Sequence, residues 1–242
     1  MRAPRVGRIL TALLDLALPA ECAGCTEPGR PWCPACADNL AEVLFPEPRL
    51  VRPDPPPPRL PSTTAAGRYA GVLRRLVTAY KDEGRRDLGV VLVPLLRASV
   101  DAACAAAPPT VLVVPVPSSL SATRRRGDVP VTELARAAIR QEGTVPTAFV
   151  LTPALRPVRA VADQARLGHL ERVRNLSGAY AVRPGWSSRL QSAPVVLVDD
   201  VVTTGATLAE AARAVRAAGG QVLAAATLAA TERRHHRAHW SP

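Results

Sequence analysis

Lysine is almost missing from this 242-residue chain: Lys81 is the only one among 31 basic residues. Aromatic residues are scarce too, at 3% against 48% hydrophobic, so a core has to be built mainly from Ala, Val and Leu. The same scarcity weighs against an extended base-stacking platform, in which each aromatic ring contributes about 1–3 kcal/mol per base. Tyr69, Tyr80, Tyr180 and three tryptophans are the candidates for such a role, and some must be core. No stretch reaches the roughly 18 uncharged apolar residues of a membrane span. Residues 1–21 place Arg2, Arg5 and Arg8 before an apolar run, but Asp15 interrupts it and Glu21 precedes Cys22 where a cleavage site needs small residues. An amphipathic helix over 6–17 and a cytoplasmic location are therefore expected. The phosphate-loop pattern GxxxxGK[ST] is absent, which makes a P-loop ATPase a poor reading.

What is present is unevenly spread. Residues 1–61 hold 7 Arg against 7 acidic residues, so the whole net charge of +11 falls on 62–242. A positive field there suits a polyanion, either a diphosphate sugar or nucleic acid, or else is a solvated arginine-rich surface. Four of the five cysteines, Cys22, Cys25, Cys33 and Cys36, crowd near the start, and Cys104 stands alone as an expected inert core thiol. Their spacing, C-x2-C-x7-C-x2-C, supplies two paired thiolates, and four sulfurs suit tetrahedral structural Zn²⁺. A redox pair and unligated thiols are the alternatives.

A helix over 35–44 is expected next, and then the four consecutive prolines Pro55, Pro56, Pro57 and Pro58 mark a stiff linker. The expected organisation is an N-terminal helix and zinc knuckle over 1–45, a Pro-rich linker over 46–62, and one main domain over 63–242. In that domain Val72, Leu73, Leu76, Val77 and Tyr80 form a helical stripe, and 87–107 reads as a second, largely buried helix. TVLVVP from Thr110 is a strand buried on both faces. A helix over 129–140, a short strand over 147–151, and an arginine-rich stretch over 153–182 of little clear period follow. PVVLVDD is a strand, 205–218 a helix and 221–228 a strand again. Alternating strands and helices predict an α/β fold with a doubly wound parallel sheet.

The chemistry concentrates in VVLVDDVVTTGATL, from Val195 to Leu208. Asp199 and Asp200 end a buried strand, and Thr203, Thr204, Gly205, Ala206 and Thr207 open a helix. Ligands of open α/β sheets bind at such strand ends. The loop is an anion cradle, with unpaired N–H groups at a helix N-terminus, hydroxyl donors, and a glycine that lets the chain come close. A monophosphate is its natural occupant. The two acids would repel that phosphate, so they belong a sugar ring away, on ribose hydroxyls or on a Mg²⁺ carrying a diphosphate. The plainer alternative, in which the acids and threonines only cap turn and helix, would be extravagant in its use of two consecutive acids.

This segment resembles the phosphoribosyl-diphosphate signature of type I phosphoribosyltransferases. With the four-cysteine knuckle, YKDEG at 80–84, VPVPSS followed by RRG at 114–127, Gln164, and ERVRN at 171–175, it resembles the ComF family of competence-associated phosphoribosyltransferase-like proteins, which includes GntX-type members. The resemblance implies a type I phosphoribosyltransferase-like fold, with Asp199 and Asp200 as the catalytic, ribose-binding acids. It puts the 5′-phosphate in the loop of Thr203, Thr204, Gly205, Ala206 and Thr207, and a diphosphate loop at Val116, Pro117, Ser118 and Ser119. Lys81, Arg124, Arg125, Arg126, Gln164, Arg172 and Asn175 are candidate contacts to diphosphate or a second substrate, with a hood over 153–180. After Arg126 and Gly127 this chain has AspValPro, where the family usually has an aromatic, Asn and Gln. The ligands implied are phosphoribosyl diphosphate and Mg²⁺. The process implied is DNA uptake and natural transformation, with single-stranded DNA and competence-machinery proteins such as a DNA-uptake helicase as partners. A non-catalytic single-stranded-DNA-binding or adaptor protein and a nucleotide-salvage phosphoribosyltransferase are the competing functions.

Overall fold

β-branched runs form the centre of the molecule. The computed structural model describes residues 21–117, 129–158 and 176–231. Its main sheet has six strands: β1 (Leu44–Val51), β2 (Thr63–Arg68), β3 (Thr110–Pro115), β4 (Ala148–Leu151), β7 (Val195–Val202) and β8 (Val222–Ala230). They lie in the order β1-β2-β8-β7-β3-β4. All neighbours pair in parallel except β1, which runs antiparallel to β2 at the edge. The remaining strands, β5 (Leu155–Pro157) and β6 (Tyr180–Val182), make a separate antiparallel ribbon.

Helices cover both faces, as the runs in β3 and β7 require, since a parallel strand is apolar on each side. On one face lie α1 (Pro34–Ala41), α2 (Gly71–Asp82), α3 (Gly89–Ala103) and α4 (Pro130–Ala138). The stripe expected on α2 is buried there, in the same apolar cluster as Val111, Val113, Val196 and Val198. The other face carries α5 (Ser187–Gln191) and α6 (Ala206–Ala217), with the β5–β6 ribbon beside them, over Leu112, Val114, Val195 and Leu197. A mixed α/β fold with a mainly parallel central sheet is therefore present. No helix among the described residues is long and apolar enough to cross a membrane.

Two segments differ from the sequence reading. The expected linker over 46–62 begins as strand: β1 reaches Val51 and pairs with β2, with a register shift between Leu44 and Arg49. Pro46 and Pro48 lie in that interval, and prolines are tolerated in a strand only at an edge or bulge. The second helix starts with a 3₁₀ turn at Arg86–Leu88 and stops at Ala103, short of residue 107. The amphipathic helix expected over 6–17 lies outside the described residues.

Candidate functional site

Strand order locates the site before any side chain does. β3 and β7 are neighbours, yet the helix after β3 packs on one face of the sheet and the helix after β7 on the other. The chain thus parts in opposite directions at their carboxyl ends, and a crevice opens between them. Val116 continues β3 into this crevice and donates its N–H to Val198 O at 2.8 Å, which sets Val116 and Pro117 beside Asp199 and Asp200.

Both acids are buried, Asp199 at 8% and Asp200 at 9% exposure. Each carboxylate folds back on the chain: Asp200 N–H donates to Asp199 Oδ1 at 2.9 Å, and Val201 N–H to Asp200 Oδ1 at 2.8 Å. Their electrostatics diverge. Burial, reinforced by the charge of Asp200, raises Asp199 well above the ordinary carboxylate range. Burial pushes Asp200 up too, but the Lys81 ammonium outweighs it and holds Asp200 below that range. The cause is direct, because Lys81 Nζ at the end of α2 forms an ion pair with Asp200 Oδ2. Burial alone would lower Lys81, and the charges of Asp200 and Asp199 raise it instead. The single lysine of the chain is therefore a charged partner inside the acidic site.

Beyond β7, Thr203 is exposed, Thr204 and Thr207 are half-buried, and Gly205 and Ala206 are buried. Thr231 anchors the loop from the end of β8, donating its N–H to Val202 O at 2.9 Å and its hydroxyl to Thr203 O at 3.3 Å. Ala206 N–H donates to Thr204 Oγ1 at 3.4 Å as α6 begins, and the other N–H groups of the first turn have no intrahelical partner to give. Gly205 is left-handed at φ 75°, which a side chain resists. A Cβ there would sit 3.0 Å from Leu60 Cδ2 and 3.2 Å from Pro53 Cγ. Backbone strain and the Pro-rich segment thus require this glycine, where the sequence argument invoked only approach of a ligand.

Several residues beside the crevice were not assigned to it by pattern reasoning. Tyr180 is buried, and its hydroxyl donates to Pro117 O at 3.4 Å. Burial, then the charge of Asp199, raises its phenol well above the ordinary value, so it acts as a neutral donor. Glu210 of α6 accepts from Tyr180 N–H at 3.3 Å and from Arg213 at 2.7 and 2.8 Å, while Arg213 also donates to Tyr180 O at 3.1 Å. The ribbon is so clasped to the helix that follows the threonine loop. An acid on the apolar stripe of α6 was the available signal, because a buried carboxylate demands partners. Of the residues singled out from the sequence, Asp199, Asp200, Lys81, Val116, Pro117, Thr203, Thr204, Gly205, Ala206 and Thr207 gather around this crevice. Ser118, Ser119, Arg124, Arg125, Arg126, Gln164, Arg172 and Asn175 lie outside the described residues.

With strand end, acid pair and threonine loop in place, comparison with known families bears on the same segment. Residues 179–241 match the phosphoribosyl transferase domain family model. That phosphoribosyltransferase-like stretch starts just before β6 and takes in β7, the acids, the loop, α6 and β8. Comparison with curated proteins finds no match.

A second site stands apart from the crevice. The sulfurs of Cys22, Cys25, Cys33 and Cys36 all lie within 4.8 Å of one another, and this cluster could hold zinc. Zn–S bonds of about 2.3 Å in a tetrahedron separate sulfurs by about 3.8 Å, and Cys25 and Cys33 Sγ are 3.7 Å apart. Any side chain at Gly24 would run into Cys36 Sγ. Burial pushes Cys22 up, but the N–H that Gly24 donates to its Sγ and the backbone of Cys33 and Cys25 lower it to about 6. Burial, then the Cys33 thiol, raises Cys36 instead. Thiols this close ionise together only around a cation, which is the chemistry of a metal-ligand set.

Proposed function

We propose that this chain is a ComF-type phosphoribosyltransferase-like protein that binds phosphoribosyl diphosphate with Mg²⁺ in the β3–β7 crevice and serves DNA uptake and natural transformation. The observation that carries the ligand assignment is the buried acid pair near the end of β7, shortly before a helix-opening threonine loop. Asp199 and Asp200 would face the ribose hydroxyls or the cation. The loop from Thr203 to Thr207 would receive the 5′-phosphate through backbone N–H groups and hydroxyls. Carboxylate and phosphate oxygens are the donors Mg²⁺ prefers, and two buried carboxylates fit it. The bound cation supplies charge neutralisation to the diphosphate.

The reaction fitting these parts is displacement of diphosphate from C1 of the ribose by a nitrogenous nucleophile, through an oxocarbenium-like transition state. Asp200, held ionised by Lys81, is suited to stabilise positive charge developing on the sugar. Neutral Tyr180 fixes the backbone of Pro117 at the start of the expected diphosphate loop. The process, and partners such as single-stranded DNA or a DNA-uptake helicase, rest on the family resemblance.

Calorimetric titration with phosphoribosyl diphosphate and Mg²⁺, followed by a nucleobase panel assayed for diphosphate release, tests this reading. Binding with release assigns an enzyme and names the acceptor, while binding without release assigns a non-catalytic member. Absence of binding overturns the ligand assignment. In the same preparation, affinity for single-stranded DNA should fall with salt at a log–log slope of about −0.7 per phosphate contacted. No binding at low salt would remove the DNA arm.

A further inference from the structure

The ion pair between Lys81 and Asp200 leaves an acidic crevice already neutralised by the protein itself. The Lys81 side chain is about one-third exposed and the Asp200 side chain 11% exposed, so the lysine reaches in from the surface to a carboxylate at the floor of the crevice. Lys81 lies in the last turn of α2, and Asp200 near the end of β7, so helix and sheet packing fix both backbones. The facing charged groups are Asp199, Asp200 and Asp82, all acidic. A bare divalent ion approaching Asp200 has to displace a tethered cation whose local concentration is high. Mg²⁺ is a poor competitor on those terms, because it gives up water reluctantly and binds best through one or two carboxylates together with substrate phosphates.

We propose that Lys81 is a selectivity gate: a built-in counter-ion that excludes a free divalent cation from Asp199 and Asp200 and yields only to a cation that arrives carrying the diphosphate sugar. This rests on the phosphoribosyl-diphosphate reading of the crevice for the identity of the sugar, though the exclusion of the bare ion is measurable without it. The consequence is an ordered entry, with metal and sugar coming together. Lys81 acts here through Asp200 and is a positioning residue.

The test uses Mn²⁺ alone, followed by its electron paramagnetic resonance signal, with zinc-replete full-length protein. Wild type should bind Mn²⁺ only weakly without the sugar. Lys81→Met and Lys81→Gln, which leave Asp200 uncompensated, should each bind it about tenfold more tightly or better, and Lys81→Arg should stay weak. Combining Lys81→Met with Asp200→Asn should abolish the gain, which locates the ion at Asp200. Tight Mn²⁺ binding by wild type overturns the proposal without any variant. So does unchanged affinity in a folded Lys81→Met or Lys81→Gln protein, or a gain that survives in the double variant. Titrating wild type with phosphoribosyl diphosphate and Mg²⁺ in parallel separates the two ideas: failure there removes the sugar and leaves the Mn²⁺ comparison standing.

Discussion

Adjacent in sequence and alike in chemistry, Asp199 and Asp200 are opposites in energetics because only one of them meets a cation. Asp199, raised by burial and its neighbour, contributes to stability in its neutral form. That contribution is complete below the ordinary carboxylate value of about 3.9 and fades as pH rises through the folded-state value. Asp200, lowered by Lys81, contributes above the ordinary value and loses its contribution as pH falls through its folded value. Asp199→Asn should therefore stabilise the protein by about 1–3 kcal/mol at mildly alkaline pH, with the gain shrinking toward about pH 4. Asp200→Asn should destabilise at the same alkaline pH by leaving Lys81 without its partner. Thermal melts across pH check both, and equal responses from the two variants would refute the asymmetry. Gly205→Val should fail in folding as well as in binding, losing about 2 kcal/mol or more, since a β-branched residue must adopt φ 75° against Leu60. Trimming Leu60 to Ala should relieve the contact and leave the strain, so a urea midpoint fully restored in the double variant would contradict this account.

Among the elements, α3 depends on a polar contact inside its own core. Arg97 Nε donates to Asp101 Oδ1 at 2.9 Å one helical turn away, and both side chains are buried. Asp101 Oδ2 accepts from Thr144 N–H at 2.8 Å, and the Arg97 guanidinium lies 5.1 Å from the centre of the Phe149 ring. The pair so pins the turn between α4 and β4. Asp101→Ala should cost about 3–5 kcal/mol in urea unfolding by stranding a buried charge, whereas an Arg97→Met, Asp101→Leu double variant should cost clearly less. Additive losses would show that the two residues are not coupled. Such pairs are hard to read from sequence, because a charged residue at helical spacing is usually a solvated face. What was legible followed period and run length: the α2 stripe, the unbroken strands β3 and β7, and the acids near the end of β7. The edge strand β1 was not, because Pro46 and Pro48 look like linker until β2 is placed beside them. The ribbon escaped for a related reason, its strands being three residues each and held by Glu210 and Arg213 from a distant helix.

At the scale of the molecule the knuckle is no loose appendage. Cys22, Cys33, Cys36 and Leu40 belong to the same buried cluster as Val72, Leu73 and Leu76 of α2. Arg85, just past α2, donates to Glu21 O at 3.1 Å and to Pro31 O at 3.5 Å. A knuckle folded only by its own metal would lose structure locally when zinc leaves; this shared core predicts that the loss spreads. Purified protein should contain one zinc per chain, and Cys36→Ser or a strong chelator should lower both zinc content and melting temperature. Hydrogen exchange should then quicken along α2 as well as in the knuckle. Metal-free protein with an unchanged melting curve would exclude a structural metal.

Strand β8 sits between β2 and β7, although it is the last described strand along the chain. Thr63 finds its partner at Ala225, so the N-terminal half of the sheet waits on residues made much later in synthesis. Until β8 emerges, the nascent chain carries two open strand edges in what becomes the middle of the sheet, and such edges are templates for aggregation. Long-range parallel pairing of this kind is slow to form. A chain stopped before residue 222 should collect in inclusion bodies where the full chain stays soluble. The 179–241 segment expressed alone should fare no better, because it keeps β7 and β8 but lacks the two strands that flank them.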